Sequence, residues 1–227
     1  MFARKLYMLA SLIAQPAFGM HSALHPMPDN VFLDMHVTDI DPERGTILDI
    51  AAVLTDQNYN VRKEVYVVVH HEAPVLANIN YYLKYSIDHL DLPKKVSNSI
   101  ISMDQAERQM CSLFSVQEQP RSSILVGADH IISFRAFLKK FMPIFDQHIS
   151  LVTPLHVPSI RKFIKYGNPS DPFFILEDTK SPTNSFEKVH GLLEELKYYK
   201  SRYITPNNNT DKEEFCVVLS DEDPVLF

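Results

Sequence analysis

The sequence predicts one α/β domain built on a mixed sheet of five strands. Three observations predict it. Three β-branched runs follow one another with only short turns between them. Helical spacing of apolar residues then takes over. Last come two short apolar strands, each followed by a helical segment.

The first strand is expected at Val31–His36, ending in a turn marked by Asp39, Asp41, Pro42 and Gly45. Thr46–Leu54 is almost wholly apolar and reads as a buried strand. Arg62–His70, with its Val-Tyr-Val-Val-Val run, reads as the third strand of an antiparallel meander. Tyr81–Leu90 and Met103–Phe114 carry helical spacing, with Ser102 or Asp104 as a cap for the second. Ser123–Val126 and Leu151–Leu155 are the two remaining strands. Between them lies a helix over Ile131–Phe145, broken at Pro143. Pro158 suits the first position of a helix through Ser159–Tyr166, because its missing N–H is not needed there. A long helix over Phe186–Tyr203 closes the domain.

Charge and composition exclude several functions. There are 5 Gly and no Trp, and no Gly-rich phosphate-loop string occurs. The net charge is −6, but residues 211–227 alone carry about −5, so the rest of the chain is near neutral and poorly suited to non-specific duplex binding. Two cysteines, Cys111 and Cys216, make neither a disulfide framework nor a zinc motif. The chain divides into a basic, acid-free apolar segment (residues 1–28), the domain (29–204) and an acidic tail (205–227). The first segment is too short to span a membrane. It fits a secretory signal, a mitochondrial presequence or an added helix, and the expected compartment is cytoplasm or mitochondrion ahead of secretion.

Several strings carry a resemblance. They are Phe32-Leu33-Asp34-Met35-His36-Val37-Thr38-Asp39, Ile47-Leu48-Asp49-Ile50-Ala51, Val96-Ser97-Asn98-Ser99, Phe137-Leu138, Ser159-Ile160 and Glu195-Leu196-Lys197-Tyr198-Tyr199. In order and spacing they resemble the oligoribonucleases, DEDD exonucleases whose domain is ribonuclease-H-like. The resemblance covers about residues 31–203. It implies three antiparallel strands followed by two parallel ones, with helices on both faces. It also implies 3′→5′ cleavage of short RNA by two divalent ions about 3.5–4 Å apart, held by four carboxylates and served by a histidine base.

Carried over position by position, most of that site is missing. The Asp-x-Glu pair, placed on one strand face by the period of two, is here Asp34 and His36. Phe134 stands at the second aspartate, Thr183 at the histidine and Lys188 at the last aspartate. Imidazole is a poor substitute for a carboxylate bridging Mg²⁺, and a threonine is no base near neutral pH. The sequence is therefore expected to specify a pseudo-enzyme with no catalytic residues, no bound metal and no cofactor. Its partner would be a protein, a ribonucleoprotein or single-stranded RNA, with a homodimer also implied by the resemblance. The alternative is a divergent active exoribonuclease using Mg²⁺ or Mn²⁺. Lys139, Lys140, Arg161, Lys162 and Lys165 are candidates for a phosphate path, weighed against an ordinary solvated helix face. Ile40 falls where the family sets an apolar residue against bases. A zinc site from Asp34, His36, His130 and His156 is disfavoured against chance proximity.

Overall fold

Why the chain folds around its second strand is clear from burial. A computed structural model describes residues 29–204, except 82, 85–86, 88–90, 115–122, 129, 172–173 and 175–183. Ile47–Thr55 (β2) has every side chain buried, as its near-continuous apolar text requires. Asn30–Val37 (β1) pairs with it antiparallel, and Val61–Val68 (β3) pairs antiparallel on its other side. Ile124–Gly127 (β4) joins β1 in parallel, and Leu155–His156 (β5) joins β4 in parallel. The sheet order is β3-β2-β1-β4-β5. This is the expected mixed five-stranded sheet.

β3 is an edge strand and reads as one. Arg62, Lys63 and Glu64 are exposed, and such charges discourage edge-to-edge pairing with another chain.

The helices follow from caps and breakers. Ala73–Ala77 (α1) and Leu92–Asn98 (α2) each carry Pro in the first turn. Met103–Cys111 (α3) starts on a capping box: the Ser102 hydroxyl accepts from the Gln105 N–H, and the Gln105 side chain accepts from the Ser102 N–H. Ile131–Phe141 (α4) stops before Pro143, which opens the short Pro143–Asp146 (α5). Val157–Gly167 (α6) has Pro158 in its first turn, as expected. Ser185–Tyr199 (α7) begins at Asn184, whose side chain accepts from the Glu187 N–H, and the helix packs across β1 and β2. Through Tyr199 these residues belong to one compact unit; Lys200–Ile204, a π-helical turn, belongs to a second unit and is described by itself.

One core joins Val31, Leu33 and Met35 of β1 to Phe134, Phe137 and Leu138 of α4, with Met110, Phe145 and Ile149. Gly127 lies where β4 meets α4, and a Cβ there would sit 2.4 Å from Ile131 Cδ1. Only a glycine permits that approach.

Two expectations are corrected. The fifth strand is Leu155–His156 rather than Leu151–Leu155, and Leu151 and Val152 are exposed. Ile149 makes an isolated parallel bridge to Ser123, and the buried Arg135 donates long bonds to the carbonyls of Ile149 and Val152. The last α-helix ends at Tyr199, not Tyr203. Of Tyr81–Leu90, residues 81, 83, 84 and 87 are helical. The N-terminal segment (1–28), Thr183 and the acidic tail (205–227) lie outside the described residues.

Candidate functional site

Asp34 and His36 share a face of β1, and the register sets Asp49 of β2 directly opposite His36. On that face lies α7. Its Ser185 and Lys188 are three residues apart and so point the same way. These five side chains meet.

Asp49 is the hub. It is buried, and its Oδ1 accepts from the His36 backbone N–H (3.0 Å), from the His36 ring (Nδ1, 2.7 Å) and from the Ser185 hydroxyl (2.9 Å). Its Oδ2 accepts from the Tyr66 hydroxyl at 3.0 Å. Burial first, and then the negative Asp49, push the Tyr66 hydroxyl's pKa well up, which keeps it a donor. Buried carboxylates are tolerated when so satisfied.

Asp34 is less well satisfied, although Ser185 reaches it. It is 3% exposed, and its Oδ2 has no hydrogen-bond partner among the described residues. Lys188 Nζ is 3.6 Å from it, an ion pair but not a hydrogen bond. Burial raises the Asp34 pKa above the ordinary carboxylate value, and the cation of Lys188 and the ring of His36 only partly offset this. Lys188 Nζ is also 3.4 Å from His36 Nε2. The ammonium thus sits between the two residues of the first motif.

These groups form one end of a cavity of about 300 Å³. Ile40, Leu83, Ile87 and Phe134 supply apolar wall, and His130, in the left-handed region at φ 68°, supplies a rim. Phe134 belongs to the core as well, so its ring is both filler and wall.

Asp34, His36, Phe134 and Lys188 all line this one cavity. Thr183 and the nearby Asp129 fall outside the described residues. Lys139, Lys140, Arg161, Lys162 and Lys165 do not line the cavity. Lys140 donates to the Pro42 carbonyl and pairs with Glu43, and Arg161 grips Glu195 through two bonds. His156 bonds Ser159 and also stays away from the cavity. Sequence reasoning missed Asp49, Ser185 and Tyr66. The available signal was an acid inside an otherwise apolar strand, which must find donors.

No family model matches the chain. It is 26% identical over 176 residues to the oligoribonuclease of Francisella tularensis, covering 77% of this chain and 96% of that protein. It is 27% identical over 175 residues to the oligoribonuclease of Azoarcus sp., covering 77% and 94%. To a protein of Drosophila melanogaster named probable oligoribonuclease it is 26% identical over 177 residues, covering 76% and 81%. In space it superposes on E. coli exonuclease I bound to a dA16 oligonucleotide (TM-score 0.53, 11% identity) and on the zinc-bound form with single-stranded DNA (TM-score 0.55, 11% identity). Each match covers 78% of this chain but about two fifths of the exonuclease I chain, 41%.

A metal ion in that neighbour corrects the expectation that no cofactor belongs to this chain: the fold holds a divalent cation in a relative. A pair of ions does not fit the described residues. Among them no group of three His, Cys, Asp or Glu side chains is arranged to hold a metal ion, and the Lys188 ammonium lies beside Asp34. The chain is thus similar to oligoribonucleases along most of both sequences, and it shares the fold of exonuclease I over most of its own length.

Proposed function

We propose that this chain binds short single-stranded RNA in the cavity beside β1 and has given up the hydrolysis for which its relatives are named. The observation that carries the reading is the Lys188 ammonium lodged between Asp34 and His36. A fixed cation there supplies one phosphate contact without supplying an activated water. The apolar wall of Ile40, Leu83 and Phe134 suits the face of a terminal base. The DNA held by exonuclease I and the RNA activity in the relatives' names support a single-stranded ligand. Acting as a binding module, the protein would hold RNA for a protein or ribonucleoprotein partner.

A second reading is a divergent 3′→5′ exoribonuclease that uses Mg²⁺ or Mn²⁺. The relatives favour it, because they share most of the chain and are named oligoribonucleases. One experiment separates the two. A five-nucleotide RNA is incubated with the full chain in Mg²⁺ and in Mn²⁺, and both binding and product are followed. The expected result is a saturable complex with intact RNA. Release of mononucleotides that disappears in Asp34→Ala establishes the second reading instead.

A further inference from the structure

The sheet ends at β3, and the outer edge of that strand is only partly used. Val69 donates its N–H to the Leu48 carbonyl at 2.8 Å. By the alternation of an antiparallel pair, Val67 and Val65 also turn their backbone groups to β2, while Val68, Tyr66 and Glu64 turn theirs outward. One end of this edge is taken. The Ser99 hydroxyl donates to the Val68 carbonyl at 2.6 Å, and the Ile101 carbonyl accepts from the His70 N–H at 2.7 Å. The outward backbone groups of Glu64 and Tyr66 have no partner among the described residues.

Beside this open stretch runs a groove of about 550 Å³, lined by Ile100, Ile101, Gln105, Arg108, Gln109 and Ser112. The last four lie three or four residues apart and so share one flank of the α3 helix and its end. Across the helix, Glu107 accepts from the Ile144 and Phe145 N–H groups at the start of α5, which packs with α4. The groove therefore lies on the flank turned away from those helices. β3 meets it at both ends, since Ile101 accepts from His70 and the Ser112 carbonyl accepts from Lys63 Nζ at 3.1 Å.

Charge argues for one kind of occupant. Arg62 and Glu64 are already paired, with Asp29 and His190. Lys63 and Arg108, beside the groove, have no acidic partner among the described residues. At the far end Ile100 is 91% exposed. A second copy of β3 would set these cations against their own kind. A segment with acids for Lys63 and Arg108, and an apolar residue for Ile100, satisfies the charges and the open backbone together. We infer that the β3 edge and this groove dock an acidic, extended segment of a partner protein as a sixth strand. The site shares no lining residue with the cavity beside β1, and it needs no RNA.

The test uses the full chain and the end-blocked peptide Val-Thr-Val-Thr-Glu-Thr-Glu, its reversed sequence, and both with Lys in place of Glu. Binding and amide hydrogen exchange are followed together. One of the two acidic peptides is expected to bind and to slow exchange at Glu64 and Tyr66. Val65, already bonded to β2, should not change. The lysine peptides should bind about tenfold more weakly, and Arg108→Glu should remove that preference. Glu64→Pro takes away an outward N–H where an edge strand tolerates proline, and should weaken binding about tenfold at an unchanged melting temperature. If that variant does not fold, Arg108→Glu on the helix surface still decides. The inference is overturned if no peptide binds, if Glu and Lys peptides bind alike, or if binding leaves Glu64 and Tyr66 exchanging as before. Slow exchange at both amides before any peptide is added also overturns it. Such protection would rise with protein concentration for a second copy and be independent of it for a segment of the same chain.

Discussion

Asp34 and Asp49 are carboxyls on neighbouring strands with opposite circumstances. Asp49 has four donors; Asp34 has a cation at 3.6 Å and an Oδ2 with no hydrogen bond. Their removal should differ in sign. Asp49→Ala leaves a ring N–H, two hydroxyls and a backbone N–H without their acceptor. It is expected to lose about 3 kcal/mol in urea unfolding. Asp34 has a folded pKa above its unfolded one, so its protonated form favours the fold. That stability is complete below the unfolded value and is lost as pH rises through the folded one. Asp34→Asn is therefore expected to raise the melting temperature at neutral pH, and the gain should vanish by about pH 3, where both forms are neutral. A gain that persists at low pH would refute the assignment. Asp34 and His36 were legible in the text because a period of two fixes a shared face. The role of Asp49 was not, since its donors come from β1, β3 and α7, more than ten residues away in every case.

Secondary-structure boundaries were legible where a cap or a proline sets them. Ser102, Pro143 and Pro158 all sit at helix boundaries or in first turns as the sequence suggests. Leu151–Leu155 misled because five residues with three apolar ones look like a short buried strand. In the structure Ile149 bridges to Ser123, and pairing resumes only at Leu155, a spacing set by contacts distant in sequence. Contacts between elements set two further expectations. α6 and α7 are tied by Arg161 to a buried Glu195, which also accepts from the Tyr199 hydroxyl at 2.6 Å. Glu195→Ala removes the acceptor of these three bonds at once, and about 3 kcal/mol should be lost on chemical denaturation. Gly127→Ala forces a methyl onto Ile131 and should cost about 1–3 kcal/mol. In the thermal melt, adding Ile131→Ala should recover less than the full loss, since the second change opens space in the core.

At the scale of the molecule, the sheet order and the mixture of parallel and antiparallel pairing were readable from the succession of strand and helix patterns, since few topologies accommodate that succession. The distribution of cations was not readable, because pairing depends on what each side chain meets in space. Two of the five bases that looked like a phosphate path are taken up by acids of the same fold, Lys140 with Glu43 and Arg161 with Glu195. RNA binding should accordingly show a weak salt dependence, with a slope of about −1 in log K against log salt, as for one or two phosphate contacts. A slope several times steeper would mean that a larger basic surface engages the ligand.

Between β1 and β2 the pairing slips by one residue, so that His36 faces Asp49 while Val37 faces Ile47, and Leu48 is the extra member. The slip lies between the 38–46 connection and the acids. Lengthening or shortening of that connection can be absorbed on the turn side of Leu48, while the partners from His36 back to Asn30 stay in step. The hairpin tip is thereby decoupled from the chemistry a few ångströms below it, and can be remodelled over evolution without rotating Asp34 or Asp49 out of place.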